Sequence, residues 1–253
     1  MKDITEKYIH ARGALPHFAA AIERGRITVG FVGGSITEPE NGKRWSDKVI
    51  DWLAFNFPGL DITVENAAKG ATGSLSAVFR VDEDILTCGC DIVFVETAVN
   101  DGPSAWGDCR EGLLRKLLKA DSFDVALVYT YCQGMYDAML KRELPESVAD
   151  WERLAEHYGL CSVHCGQYAF DLTAAGFLRW EEWLPDGLHP EFAGSRVYAE
   201  AAAHLLEGSL DDGAKEPSPA LPAPLYPNNW EKAYSLPFDE VSRHGPWRVT
   251  RIF

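Results

Sequence analysis

Two segments far apart in the chain carry the residue types of a hydrolytic triad. Near the start, an apolar run ends in Gly33, Gly34 and Ser35, and near the end Asp186 stands three residues before His189. A serine hydroxyl is a poor nucleophile at neutral pH, so it needs an imidazole to take its proton and a carboxylate to orient that imidazole. Ser35, His189 and Asp186 can fill these roles, which indicates acyl-transfer chemistry.

Two further segments, Val64 to Gly73 and Val93 to Asp101, also follow apolar runs, and they contain Gly70 and Asn100. When a serine attacks a carbonyl carbon, negative charge develops on the carbonyl oxygen, and losing one fixed donor to it costs about a hundred- to a thousandfold in rate. Glycine lets the backbone approach a substrate closely, and asparagine donates without adding a charge. Gly70 and Asn100 are therefore candidate donors.

Each segment also has a purely structural interpretation. Ser35 could cap a helix or close a turn, and Asp186 with His189 could belong to the start of a helix before Pro190. Asn100 lies in a strong turn signal. The order and spacing of all the segments together favour the catalytic interpretation over these separate ones.

In this order the segments resemble the four short blocks of the SGNH hydrolase superfamily, also called GDSL-type esterases, over Gly33 to His189. Two blocks depart from the usual pattern: Gly-Asp-Ser reads Gly33-Gly34-Ser35, and Gly-x-Asn-Asp reads Ala98-Val99-Asn100-Asp101. The resemblance implies an esterase without metal or cofactor, with these roles: Ser35 as nucleophile, His189 as general base, Asp186 as its orienting partner, and the backbone N–H groups of Ser35 and Gly70 with the side-chain amide of Asn100 as the oxyanion hole.

Strand-like and helical patterns alternate along the chain and would position these blocks. Trp45 to Phe55 and the leucines that follow Gly112 repeat apolar residues at helical spacing, as do Ser147 to Tyr158 and Phe192 to Leu206. Alternation of this kind predicts an α/β fold of three layers, α/β/α, around a central, mostly parallel five-stranded sheet, and the resemblance implies its flavodoxin-like form. The predicted strands are Ile27 to Val32, Ile62 to Glu65, Ile92 to Glu96, Val125 to Tyr131 and Cys161 to Cys165.

Ligands of such sheets bind beyond the carboxyl ends of the strands. Ser35, Gly70 and Asn100 each come just after a predicted strand, and Asp186 with His189 lies in the loop before the last helix. The topology therefore places all of them at one edge of the sheet.

Charge and composition exclude several classes of partner. The chain has 253 residues and a formal net charge of −14, with no cluster of basic residues, which argues against nucleic acid and anionic membranes as partners. The first residues are too charged for a secretory signal, so a cytoplasmic location is expected, with its six cysteines reduced. Cys161, His164 and Cys165 lack a fourth ligand at a spacing typical of zinc sites, so no metal is expected.

Beyond residue 208 the composition changes, because seven of the 14 prolines lie there and nearly exclude helix. Residues 1–208 are therefore expected to form the hydrolase domain, and residues 209–253 an extended arm or the start of an accessory β domain. Such an arm would pack on the domain or on a second copy in a homo-oligomer. Its aromatic residues are Trp230, Tyr234, Phe238 and Trp247.

The expected activity is hydrolysis of short-chain carboxylic esters, with a small-molecule or oligosaccharide ester, above all an O-acetylated carbohydrate, as the substrate. A lysophospholipase, a thioesterase or an acyltransferase would use the same triad, and a catalytically silent binding module is the alternative from another class. Four aromatic residues could line the pocket mouth or belong to the core: Trp45, Trp106, Tyr136 and Trp183.

Overall fold

The computed structural model describes residues 7–102, 106–211, 221–237 and 240–248. Within these ranges strands and helices alternate as the sequence predicts. The strands are β1 (Ile9–His10), β2 (Arg26–Gly33), β3 (Asp61–Asn66), β4 (Ile92–Glu96), β5 (Asp124–Val128) and β6 (Cys161–Val163). The helices are α1 (Pro16–Glu23), α2 (Trp45–Asn56), α3 (Ser74–Asp84), α4 (Gly107–Ala120), α5 (Tyr136–Leu140), α6 (Glu146–Tyr158), α7 (Cys165–Ala174), α8 (Trp180–Trp183) and α9 (Phe192–Asp211).

The sheet has the order β1-β6-β5-β4-β2-β3, and β2 to β6 are parallel. Every residue of β4 and β5 is buried, as expected for central strands covered by helices on both faces. Helices α2, α7 and α9 pack together in one layer, and α3, α4 and α6 pack together in the other. The predicted three-layer α/β fold is therefore confirmed.

One strand was not expected. The two-residue strand β1 pairs antiparallel with β6 through Ile9 opposite Val163 and His10 opposite Ser162, which makes six strands rather than five. A strand of two residues contains no repeat of apolar and polar side chains, so its sequence carries no periodic signal. The sheet stays mostly parallel, and the extra strand lies at the edge away from Ser35.

Residues 221–237 contain no helix or strand and lie against α3 and α4. The backbone N–H of Trp230 donates to Asp108 O at 3.1 Å, and the Trp230 ring packs 5.7 Å from that of Phe79. Tyr234 and Trp247 are exposed, and Phe238 is outside the described residues. Helix α9 continues past residue 208 to Asp211, and the division of the chain into two units stays a prediction.

Candidate active site

The turn that carries Ser35 is built from two glycines that have no room for a side chain. A Cβ at Gly33 would lie 2.8 Å from the Thr37 side chain, and a Cβ at Gly34 would overlap with Asn100 Oδ1. The Cβ at Gly33 would also lie 2.8 Å from the backbone carbonyl of Glu96, so glycine is required there. At Gly34 the close atoms belong to the Asn100 side chain, which would have to move to admit a side chain at that position.

Ser35, His189 and Asp186 form one hydrogen-bonded chain. Ser35 Oγ lies 2.7 Å from His189 Nε2, and His189 Nδ1 lies 2.7 Å from Asp186 Oδ2. A carboxylate only accepts, so Nδ1 carries the proton and Nε2 is left to accept from the serine hydroxyl. This is the arrangement that activates a serine, and the structure brings together the three residues named from the sequence. Their catalytic roles stay predictions.

The loop that holds Asp186 and His189 is fixed by local hydrogen bonds. Asp186 Oδ1 accepts the backbone N–H groups of Leu188 at 2.9 Å and His189 at 2.6 Å, while Gly187 adopts a left-handed φ of +82°. Burial raises the pKa of Asp186, but hydrogen bonds from the His189 backbone, the His189 ring and the Leu188 backbone outweigh it and bring the pKa to about 2. Asp186 therefore stays ionised over the working range of an enzyme.

The predicted oxyanion donors Asn100 and Gly70 differ in how available they are to a substrate. The Asn100 side chain lies against Gly34, next to Ser35, and is accessible to solvent. The Gly70 N–H lies at the same edge but donates to Glu38 Oε2 at 3.0 Å. The neighbouring Ala71 has a φ of +59°, a conformation that is unfavourable for a residue with a Cβ and occurs at functional sites. Asn100 is thus free to meet a substrate, whereas Gly70 first has to release Glu38.

Two acidic residues of the site were not foreseen from the sequence. Glu38 follows the nucleophile turn, and Glu96, the last residue of β4, is fully buried beneath that turn. The available signal for Glu96 was an acidic residue ending an otherwise apolar strand, because a buried carboxylate requires hydrogen-bond donors. For Glu38 the sequence offers no comparable signal.

Asp101, next to Asn100, has a structural role. Its carboxylate accepts hydrogen bonds from the Ser74 backbone at 2.7 Å, the Thr97 hydroxyl at 2.9 Å and the Trp151 indole at 3.0 Å. These bonds tie the Asn100 loop to α3 and α6. Asp101 therefore supports the loop that presents Asn100 and does not face Ser35.

The aromatic residues named for the pocket mouth divide into two classes. Trp45 and Trp183 are fully buried and belong to the core, whereas Trp106 and Tyr136 are each 37% exposed. Trp180, which the sequence did not single out, packs 6.2 Å from Tyr136 on the helix that precedes Asp186. Partly exposed aromatic side chains therefore lie at the start of α4, on α5 and on the helix that precedes Asp186.

One group of residues outside this site has metal-ligand chemistry. His10, Glu152 and His164 place ligand atoms within 4.8 Å of one another. The guanidinium of Arg12 donates to Glu152 Oε2 and lies 3.0 Å from His10 Nδ1, which itself lies 2.7 Å from Glu152 Oε2. Glu152 Oε1 and His164 Nε2 are buried without a hydrogen-bond partner among the described residues, but the positive charge of Arg12 stands beside the group and would repel a cation. The group forms a charge-compensated link between β1 and α6.

Several solved structures similar to this chain are hydrolases. A two-domain esterase (CEX) active on acetylated mannans, co-crystallised with mannopentaose, is 29% identical with a TM-score of 0.77 over 90% of this chain and 61% of its own. Axe2, an acetylxylan esterase from Geobacillus stearothermophilus, is 21% identical with a TM-score of 0.55 over 71% of this chain and 94% of its own. A protein from Parabacteroides merdae described as a GDSL-like lipase is 19% identical with a TM-score of 0.56, over 73% and 95%.

This chain thus spans 61% of the length of the mannan esterase. No family model matches the chain, and no curated protein matches it. In the part of the chain that the structure describes, no helix is long and apolar enough to cross a membrane. The fold and the similar structures confirm the resemblance drawn from the four blocks: the chain has the architecture of the SGNH hydrolase superfamily.

Proposed function

We propose that this chain is a serine esterase that removes O-acetyl groups from a carbohydrate through an acyl-Ser35 intermediate. The observation that carries the proposal is the hydrogen-bonded chain from Ser35 Oγ through His189 to Asp186, with 2.7 Å at each step. Two matched distances of this length orient the imidazole with its acceptor nitrogen toward the serine.

In the first half of the reaction, Ser35 Oγ attacks the ester carbon while His189 Nε2 takes its proton. The charge on the carbonyl oxygen is stabilised by the Ser35 N–H and the Asn100 amide, and by the Gly70 N–H once Glu38 is displaced. His189 then gives the proton to the departing sugar oxygen, and the acetyl group stays on the serine.

In the second half, water attacks the acetyl-serine. His189 accepts a proton from that water, and on collapse of the second tetrahedral intermediate it returns a proton to Ser35 Oγ. Acetate leaves and the free enzyme is restored. Asp186 stays ionised throughout and stabilises the imidazolium that forms in each half.

The carbohydrate part of the proposal is supported by the two esterases to which the chain is similar, which act on acetylated mannans and acetylxylan. It is also supported by the partly exposed rings of Trp106 and Tyr136, because aromatic faces provide broad apolar contact for ligands. The net charge of −14 favours a neutral substrate over a phospholipid surface.

The test is the initial hydrolysis rate on p-nitrophenyl esters from acetate to palmitate, with an acetylated manno-oligosaccharide and an acetylated xylo-oligosaccharide alongside. We expect preference for acetate, release of acetate from a sugar, and a loss of about a thousandfold or more in Ser35→Ala, which keeps its fold. Preference for long acyl chains would instead indicate a lipid or thioester hydrolase. Transfer of acetyl to a sugar in place of water would indicate an acyltransferase, and no turnover of any ester would contradict the proposal.

A further inference from the structure

A fully buried carboxylate, that of Glu96, lies directly beneath the turn that carries Ser35. One oxygen accepts the Thr37 hydroxyl at 2.8 Å, and the other accepts the Thr130 hydroxyl at 2.9 Å. The backbone N–H of Gly34 faces this carboxylate and lowers its pKa. Glu96 thus joins the end of β4, the nucleophile turn and the loop after β5.

The direction of one of these bonds is set by a third residue. The indole N–H of Trp45 donates to Thr37 Oγ1 at 2.9 Å, so the Thr37 hydroxyl proton is left to point at Glu96. Thr130 has no such constraint from the hydrogen bonds around it and can donate or accept. When Glu96 is protonated, the proton can therefore lie on the oxygen beside Thr130. The Thr130 hydroxyl then accepts a hydrogen bond from it instead of donating one.

Gly34, the residue before Ser35, is held on both sides. Its N–H faces Glu96, while its carbonyl accepts the backbone N–H groups of Thr37 at 3.1 Å and Glu38 at 2.9 Å. Hydrogen bonds to an ionised acceptor are about twice as strong as neutral ones. An ionised Glu96 therefore holds the position of Ser35 more firmly than a neutral side chain would.

We propose that Glu96 is a positioning residue for the esterase reaction, which works as a carboxylate to fix Thr37 and Gly34, and with them the turn that carries Ser35, in the geometry that Ser35 needs for attack. This rests on the proposed function of Ser35 as the nucleophile. Glu96 has no contact with solvent, so it acts through Thr37 and Gly34 and does not touch the substrate.

The protonation of Glu96 falls in the range of an ordinary assay. Burial raises its pKa, hydrogen bonds from Thr37, Thr130 and Gly34 lower it, and the charge of Asp101 raises it, with a result of about 7. The other ionisable groups that face Glu96 are weak acids whose pKa values are raised by burial and by the Glu96 charge: Cys132, Cys165 and Tyr198. The acid side of the rate profile should therefore contain the ionisation of Glu96.

The test is Glu96→Gln, which keeps the shape of the side chain and removes its charge. We expect kcat to fall by about tenfold with KM nearly unchanged, because small misplacements of reacting groups cost up to about a hundredfold. The acid limb of the pH profile should lose one ionisation. The Tm should rise by about 5 °C at pH 8 and stay unchanged near pH 5, because the buried charge that the folded state carries at high pH is gone.

The matched control is Asp124→Asn. Asp124 is the first residue of β5, at the amino ends of the parallel strands and away from Ser35. Asp124 is also buried, with a pKa of about 7 that burial raises, but its partners are the Phe18 and His17 backbone N–H groups. Activity and its pH profile should be unchanged in this variant. Thr130→Val offers a second test that keeps Glu96: removing a donor to the carboxylate should move the acid limb to higher pH and leave the plateau in place.

The rate of Ser35 labelling by a fluorophosphonate should be followed in the same variants, since it does not depend on which ester is the substrate. Slower labelling in Glu96→Gln supports the role even if every ester of the panel is a poor substrate. Three results would overturn the role. They are wild-type kcat and labelling in Glu96→Gln, a loss of activity in that variant that only follows a lower Tm, and an acid limb that does not move in Thr130→Val. Absence of labelling in the wild type would overturn it together with the proposed function.

Discussion

At the carboxyl edge of the sheet, Ser35, Asp186 and His189 meet where solvent can reach them, and each bond in their chain is a single contact of 2.7 Å. On α4 several charged residues are buried instead. Glu111 is fully buried and Arg115 is 8% exposed, and both are covered by residues 221–237. We call this contact between α4 and residues 221–237 the α4 seam.

The two regions differ in what their hydrogen bonds accomplish. At the carboxyl edge, solvent-accessible side chains are held in a reactive arrangement. Substitutions there should lower the reaction rate and change the free energy of unfolding little. In the α4 seam, buried charges accept hydrogen bonds from backbone groups more than a hundred residues away; Glu111, for example, accepts the N–H of Leu225. Substitutions there should lower the free energy of unfolding and leave the reaction rate unchanged.

The largest effect is expected from Asp186→Asn at the carboxyl edge. The amide can still accept the backbone N–H groups of Leu188 and His189, so the loop should keep its shape, but it no longer stabilises the imidazolium or fixes its tautomer. We expect kcat to fall by about a thousandfold with only a small fall in the urea midpoint, because the Asp186 carboxylate is largely exposed. Ester hydrolysis at saturating acetate ester and urea denaturation measure the two quantities.

A neighbouring surface carboxylate provides the control for that substitution. Glu191 lies two residues beyond His189, and its side chain pairs with Lys43 at a long 3.9 Å. Glu191→Gln should leave kcat within about twofold, because exposed ion pairs contribute little. Equal losses in both variants would mean that the charge of the loop, and not the orientation of His189, controls the rate.

In the α4 seam, the larger effect is expected from Glu111→Ala. The Glu111 carboxylate accepts the backbone N–H groups of Leu225 and Tyr226, each at 2.6 Å, and the Tyr158 hydroxyl at 2.5 Å. Removing it leaves buried donors without partners, which should cost about 3 kcal/mol of unfolding free energy in guanidinium. Glu111→Gln keeps one acceptor oxygen and should cost less, and esterase activity measured well below the Tm should stay at the wild-type level in both.

A rate loss in Glu111→Ala without a stability loss would contradict the division between the two regions. It would mean that the α4 seam communicates with Ser35 through the loop that Asp101 supports. Activity should therefore be reported together with the unfolding midpoint for each variant.

Gly112→Ala tests how closely residues 221–237 approach α4. A Cβ at Gly112 would lie 2.6 Å from the backbone of Trp230, so the segment or the helix has to shift. The cost of overpacking exceeds the gain in helix propensity, and we expect a net loss of about 1 to 2 kcal/mol in the free energy of unfolding. Gly208, near the end of α9, has nothing within 4 Å of such a Cβ, so Gly208→Ala should be neutral or stabilising.

The two regions also differ in how far the sequence predicts them. Ser35, Asn100 and His189 could be placed at one edge because each follows a strand or precedes a helix, and parallel strands bring their carboxyl ends together. Glu38 on the Gly70 N–H could not, because that contact depends on the conformation of two loops. The same holds for Glu96, whose partners come from the nucleophile turn and from the loop after β5.

On α4 the periodicity of Leu113, Leu114 and Leu117 correctly predicts the face that packs on the sheet. It says nothing of the opposite face, where Glu111 and Arg115 have the composition of a solvated surface but are buried. Nothing local distinguishes a charged residue that faces water from one that another part of the chain covers. The contacts of residues 221–237 therefore appear only in three dimensions.

The smallest effect is expected from Glu231→Gln at the rim of the α4 seam. Glu231 pairs with Arg115 Nε at 2.5 Å and with Lys119 Nζ at 2.8 Å, and hydrogen bonds from Lys119 and Arg115 lower its pKa. A carboxyl whose pKa is lowered by folding stabilises the folded state above its ordinary pKa, and this contribution disappears as the pH falls and the group is protonated. The substitution should thus cost under about 1 kcal/mol at pH 7, less in high salt, and progressively less as the pH falls below the ordinary pKa of a glutamate.

Urea denaturation of the wild type and Glu231→Gln from pH 7 downward, at low and high ionic strength, measures this difference. A gap between the two proteins that stays constant with both pH and ionic strength would show that Glu231 acts through packing and not through charge. Asp186 differs in that its pKa is about 2, so the chain of hydrogen bonds at the carboxyl edge should still contain an ionised carboxylate at pH 3.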